Sequence, residues 1–317
     1  GVLSNDQAKA LVHKMLGVWA AVPTANVDFS YQGDLEEDVT EENIADYLEM
    51  VSCGGSSRTD IPTNVVPIVF DSNGKIIEYI VGLGSATEVG GLSTLRCFLG
   101  SLDNPRGIHQ GMVILNGQFI DGKDITEFSP QDLNVNTIAG IMLHETGHLI
   151  GLDHTALNEE VYDSIAAGSM PASYSKYIPV MLPTVLREST ASTTPHPDDI
   201  AALSTLYPKD DYLSTIGRVE GEILDSDRDE VRKVNVVARR DDDPYCEAFA
   251  GISGRRCVPI TDLTGSVNFN MTYCQTEELY GDYEIDGLTP GEYTIEVENL
   301  EEGWIRSGMY PETLNMD

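Results

Sequence analysis

Residues 144–154 read HETGHLIGLDH and hold three of the chain's six histidines. This stretch limits the fold more than any other. The preceding run NTIAGIML is apolar and continuous with it, so residues 137–150 read as one buried helix. On a helix, His144 and His148 stand at i and i+4, one turn apart on one face. Gly151 ends the helix, because a glycine admits the left-handed turn common at a helix C-terminus. The chain can then reverse so that His154 reaches the same point from below.

Three neutral imidazoles around one point form the open tetrahedral site of a catalytic zinc, with water in the fourth position. No cysteine lies close in sequence to close the site as a structural zinc would need. Glu145 adjoins the first ligand and reaches past it. It can take a proton from the zinc-bound water and later pass it to a leaving amine.

Net charge decides against several partners. With 52 acidic and 19 basic residues the chain carries −33, which would repel nucleic acid and an anionic membrane surface alike. Such a surface is strongly solvated. No uninterrupted apolar run approaches the roughly 18 residues of a membrane span. The first ten residues, GVLSNDQAKA, have neither a basic nor an apolar region of a signal peptide. The five cysteines, Cys53, Cys97, Cys246, Cys257 and Cys274, contain no C-x-x-C pair. In an extracellular protein Cys53 could pair with Cys97, and two of the last three with each other, leaving one over. Five buried thiols is the other reading.

The chain divides by pattern. Residues 6–22 place Ala8, Leu11, Val12, Met15, Leu16 and Trp19 at helical spacing, with Asp6 as cap and Pro23 beyond the end. NVDFSYQG reads as a strand. DVTEENIADYLEMV reads as a helix capped by Thr40. VVPIVFDSNGKIIEYIVG reads as strand, turn, strand about Asn73-Gly74. GMVILNGQFIDG reads as a strand pair or bent strand about Asn116-Gly117. Residues 155–196 read as a long, mostly irregular segment, followed by the helix HPDDIAALSTLY, with Pro197 in its first turn, and the linker PKDDYLST. From there GRVEGEILD, KVNVVARR, SVNFNMTY, DYEID and GEYTIEVENL alternate at period two, an all-β module of about 100 residues. The boundary falls near residue 211, and the fold class is α+β followed by all-β.

At HETGHLIGLDH the chain resembles the metzincin metalloproteases, whose H-E-x-x-H-x-x-G-x-x-H signature it matches throughout. The resemblance implies a zincin-like catalytic domain over residues 1–210, a mixed sheet plus the active-site helix. It implies one catalytic zinc on His144, His148 and His154, with Glu145 as general base and Gly151 at the turn. Metzincins also carry a methionine in a tight turn beneath the metal. Met181 in IPVMLPTVL and Met170 in AGSMPASY are the two candidates. Met181 is the better match, since VMLPT is similar to the matrixin pattern and HPDDIAALSTLYP follows it. The 26 residues between His154 and Met181 exceed what matrixins use.

IGRVEGEILDSDRDEVRKVNVVARR and YEIDGLTPGEYTIEVENL resemble the carboxypeptidase-regulatory-like, prealbumin-type β-sandwich, here residues 211–317. Such a module could be a passive spacer or could bind a substrate or surface. Together the two resemblances imply a secreted zinc endopeptidase acting on protein or peptide. The substrate would pair with an edge strand of the N-terminal sheet within residues 66–120. The alternative is a surface-binding or adhesion protein on a metzincin scaffold, with the sandwich as its binding module. Zinc hydrolysis of a non-peptide bond is a third possibility for the same chemistry.

Asp71, Asn73 and Glu78 could bind calcium around their turn, but they depart from the twelve-residue calcium loop and an ordinary turn fits them better. His13, His109 and His196 are isolated and read as structural or surface residues. Asp241-Asp242-Asp243 reads as a solvated loop. GLGSATEVGG lacks the G-K-S/T of a phosphate loop. Tyr174 or Tyr177 could assist an oxyanion from the long insert.

Overall fold

The structure, a computed structural model, describes residues 3–51, 61–62, 65–101, 104–122, 132–186, 193–231, 234–254, 256–257, 274–275 and 281–298. In chain order the elements are α1 (Asn5–Ala20), α2 (Ile44–Met50), β1 (Ile68–Asp71), α3 (Lys75–Val81), β2 (Gly91–Ser101), β3 (Asn104–Asn116) and α4 (Val135–Leu149). There follow α5 (Glu159–Ala166), α6 (Pro197–Leu206), α7 (Tyr212–Thr215), β4 (Gly217–Glu222), β5 (Asn235–Arg240) and β6 (Ala248–Ile252). The last are β7 (Arg256–Cys257), β8 (Cys274–Gln275), β9 (Asp282–Leu288) and β10 (Tyr293–Glu298). The architecture is mixed α+β with several sheets. No helix among the described residues is long and apolar enough to cross a membrane.

The N-terminal sheet has the order β1-β3-β2, with β1 parallel and β2 antiparallel to β3. The end of β3, Met112-Val113-Ile114-Leu115, is an unbroken apolar run because both faces of the strand are covered. Val113 and Leu115 face α1 and α4. Met112 and Ile114 face α2 and α3. Helix α1 presents Ala8, Val12, Met15 and Trp19 along one stripe, capped by Ser4 in a reciprocal pair with Gln7. The fully buried Trp19 donates its Nε1–H to the Leu143 carbonyl of α4 at 3.0 Å. Trp19→Phe removes that bond and part of the buried indole, leaving a cavity beside α4. We expect a loss of about 2–4 kcal/mol, read as a drop in Tm of about 4–16 °C.

In the C-terminal region β10-β5-β6 form an antiparallel sheet, and β4 pairs with β9. Strand β5 is buried on both faces. Val236 and Ala238 point toward Phe249, Ile285, Leu288 and Ala201 of α6. Val237, on the opposite face, meets Leu157 and Ala248. The C-terminal strands therefore pack directly on α6 and on the segment after His154. Strands β7 and β8 set Cys257 opposite Cys274 in register, and Cys246 is a free thiol. Cys53 and SVNFNMTY, expected as a strand, lie outside the described residues, as do the side chains of Cys97 and His109.

Several expectations from the sequence are corrected. KIIEYIV is the helix α3, not a second strand. The buried Asp71 carboxylate accepts the Ile77 amide at 3.0 Å, so Asn73-Gly74 starts a helix rather than a hairpin. NVDFSYQG forms no ladder; the nearby strand-like contact is the bridge between Ala25 and Pro208. After Asn116 the chain enters a 3-10 turn, Gly117–Ile120, capped by the Asn116 side chain. Ser4, not Asp6, caps α1, and α2 begins at Ile44 behind a turn that includes Thr40. The 155–196 segment is mostly irregular among its described residues, as expected, with α5 and a 3-10 turn, Ala172–Tyr177, inside it. The expected linker contains α7, whose Tyr212 is buried.

Candidate metal centre

Helix α4 starts at Asn134, whose side chain accepts the Asn136 and Thr137 amides at 2.9 and 3.0 Å. It is buried along nearly its whole length. Gly151 takes φ 92°. The Gly151 amide bonds the His148 carbonyl, and the Leu152 amide bonds the Gly147 carbonyl. This paired closure lets the chain turn under the helix, and it carries His154 back to the helix face.

The Nε2 atoms of His144, His148 and His154 lie 3.1 Å from one another. His144 Nδ1 donates to the Val180 carbonyl at 2.7 Å, and His148 Nδ1 donates to the Leu152 carbonyl at 2.8 Å. Those two bonds place the proton on Nδ1 and turn the Nε2 lone pairs toward the shared point. Lone pairs at that spacing repel unless a cation lies between them. Burial first, then the neighbouring His148 and His154, pushes the His144 pKa well below its ordinary value, so the ring is held neutral and ready to ligate. The three histidines could hold a metal ion, and among the described residues they are the one such group of His, Cys, Asp and Glu side chains.

Glu145 is buried, and that burial pushes its carboxyl up, partly offset by His148 and by Ser93. Its side chain lies against Gly91 at the head of β2: a Cβ there would sit 2.6 Å from Glu145 Cγ and 2.9 Å from Oε1. Ser93 Oγ donates to the Glu145 carbonyl at 2.7 Å, fastening β2 to α4. Met181 is buried under the histidines' helix, and a Cβ on Gly147 would meet its Sδ at 2.5 Å. Met170 lies instead in the turn after α5, its amide bonded to the Ser164 carbonyl.

The remaining sequence candidates do not join this centre. Tyr174 packs edge-to-face on Tyr177 and Tyr245, and the rings of Tyr177 and Tyr245 lie tilted against each other. Asp71, Asn73 and Glu78 each accept a different backbone amide, those of Ile77, Lys75 and Gly84. His196 caps α6 and its Nε2 donates to the Tyr245 carbonyl at 3.0 Å.

Asp199, in the first turn of α6, also supports the centre. Its carboxylate accepts the amides of Val180, Met181 and His196 at 2.8, 3.1 and 2.7 Å. It thus holds the turn that offers its Val180 carbonyl to His144 and places Met181. Burial, with Asp198 beside it, raises the Asp199 pKa to about 7, and burial raises that of Asp198 to about 6.

The centre defines an α+β protein with a three-histidine cluster on a buried helix. No family model, no curated protein and no solved structure matches the chain.

Proposed function

We propose that the chain is a secreted zinc-dependent endopeptidase of metzincin type. Residues 1–210 form the catalytic region, and 211–317 an appended prealbumin-like β-sandwich. The observation that carries this reading is the triangle of imidazole nitrogens, 3.1 Å on a side, with Glu145 on the same helix. A tetrahedron of zinc–nitrogen bonds of about 2.0–2.1 Å has edges of about 3.3–3.4 Å, so the donor set fits zinc. The Nδ1–H groups of His144 and His148 are fastened to carbonyls, as ligand histidines require. Zinc supplies a Lewis acid that makes water a nucleophile near neutral pH and polarises a carbonyl.

The chain's own residues do the rest. Glu145 takes the proton from the attacking water and delivers it to the amine leaving the peptide bond. Strand β2 is an edge of the sheet order β1-β3-β2 and is fastened to α4 through Ser93. A peptide pairing along β2 would run beside Glu145.

Gly91→Ala places a methyl where Glu145 now lies. Cleavage is expected to fall about 10-fold or more, as misplacement of a reacting group by a fraction of an ångström does, while bound zinc is unchanged. Wild-type rates in this variant would show that Glu145 does not need its present position.

The test of the proposal is zinc content together with cleavage of a mixed peptide library by the full chain. One zinc per chain is expected, with cleavage lost to a chelator and restored by zinc. No zinc in metal-replete protein removes the reading. Zinc without cleavage turns it toward the surface-binding alternative.

A further inference from the structure

The segment between His154 and Val180 bears a histidine of the cluster at one end and the carbonyl that orients His144 at the other. One backbone bond joins its flanks, the Thr155 amide to the Met181 carbonyl at 3.0 Å, and little else inside it holds it in shape. Helix α5 buries only Val161, and the 3-10 turn Ala172–Tyr177 buries no residue. Its support comes from the C-terminal sheet. Leu157 is fully buried against Val237 and Ala248. Asn158, also fully buried and at φ 60°, donates Nδ2–H to the Tyr177 carbonyl at 2.7 Å and to the Tyr245 carbonyl at 3.0 Å. One side-chain amide thereby ties the start of the segment to its end and both to the loop after β5. Asn158 Oδ1 accepts from Arg239 Nη1 at 2.6 Å.

Arg239 is buried on β5 and is saturated. It donates to Glu296 at 2.8 Å, to Glu298 at 2.8 Å and to the Pro244 carbonyl at 3.1 Å, and it pairs with Glu160 of α5 at 3.3 Å. A guanidinium donates in a rigid planar fork, so these partners fix its direction toward Asn158. The same sheet also reaches the N-terminus of α6. The Ala250 amide bonds Asp198 at 3.0 Å, one residue from the Asp199 that holds Val180 and Met181.

We infer that the C-terminal sheet is a positioning part of the metal centre, acting through Arg239 and Asn158 on the segment that carries His154 and the Val180 carbonyl. The sheet is then neither a spacer nor solely a binding module. Arg239 and Asn158 are positioning residues: they touch no ligand atom but fix the two ends of the loop that aims His144 and His154. This rests on the metal-binding reading of the three histidines.

The test uses the full chain and two variants. Arg239→Met keeps the apolar stem and removes the guanidinium fork. Asn158→Asp keeps the acceptor for Arg239 and loses both donors to carbonyls. Arg218→Met, which removes the exposed ion pairs of Arg218 with Asp286 and Glu284, is the control for loss of a surface arginine. The readouts are zinc affinity by competition with a chelator and the visible spectrum of the cobalt-substituted protein, with circular dichroism as the measure of folding. Both positioning variants are expected to bind zinc about 10-fold or more weakly, as loss of outer-shell support does, with an altered cobalt spectrum, while the control matches wild type. Folded Arg239→Met with wild-type affinity and spectrum overturns the inference. If Arg239→Met does not fold, Asn158→Asp decides by the same criterion. Wild type that binds no zinc overturns the metal reading itself, so the two failures are distinct.

Discussion

Glu145→Ala is expected to keep one zinc per chain and to lose about 10³- to 10⁴-fold of its peptide cleavage, the upper part of what a positioned acid–base group supplies. The expectation separates binding from chemistry. Glu145 is not one of the three converging nitrogens, so its removal leaves the donor set intact. It stands one residue from His144 on a helix whose backbone is fixed at both ends, by Asn134 and by the Gly151 turn. The truncation therefore has little to disturb. Stability should fall little or rise, because burial already penalises the charged carboxylate and pushes its pKa up. Circular dichroism, zinc analysis and initial rates on the best library peptide make the comparison. Undiminished cleavage by a zinc-loaded Glu145→Ala protein would falsify the assignment of Glu145 as the base.

The histidine centre was legible because its geometry is local. Two ligands are set by one helical turn, and the third by a glycine three residues beyond the second. Residue identity alone specifies that arrangement. Met181 was legible only through the resemblance; the close approach to Gly147 is what distinguishes it from Met170. Asp199, Asn158 and Arg239 carried no such signal. Each acts on backbone groups or across more than 40 residues of chain, as Asp199 does on Val180 and Met181, or Arg239 on Asn158. A backbone amide has no letter in the sequence. The same blindness explains α3. Ile76, Ile77 and Ile80 after Asn-Gly fit a hairpin by propensity, but a buried carboxylate from β1 capped the first turn and packing against α2 and β3 did the rest. NVDFSYQG alternated well enough for a strand, yet Tyr31 is exposed and the segment has no partner strand among the described residues.

Asp199→Ala is expected to destabilise the protein strongly and to weaken the metal centre. Three buried amides, of Val180, Met181 and His196, lose their acceptor together. Each buried donor left without a partner costs about 1–3 kcal/mol. Relief from a buried carboxylate offsets part of that, so the net loss should be about 3–5 kcal/mol, at the upper end for a point substitution. The offset depends on pH, and its sign follows from the raised pKa. The native group titrates near 7 against an ordinary 3.8. Between those values the native state binds a proton that the unfolded chain does not, so this group's contribution is full below about pH 4 and is lost as pH rises through 7. The Tm deficit of Asp199→Ala relative to wild type should therefore be larger at pH 6 than at pH 8. Zinc affinity should fall about 10- to 100-fold as well, because the Val180 carbonyl no longer holds His144 on its axis. Asp198→Ala removes one backbone partner, the Ala250 amide, and a side-chain partner, Thr155 beside His154. Its loss of stability should be smaller than that of Asp199→Ala, since it strands one buried amide rather than three. Equal zinc affinities for Asp199→Ala and wild type would mean that the turn holds its shape without this carboxylate, and that His144 is oriented by packing alone.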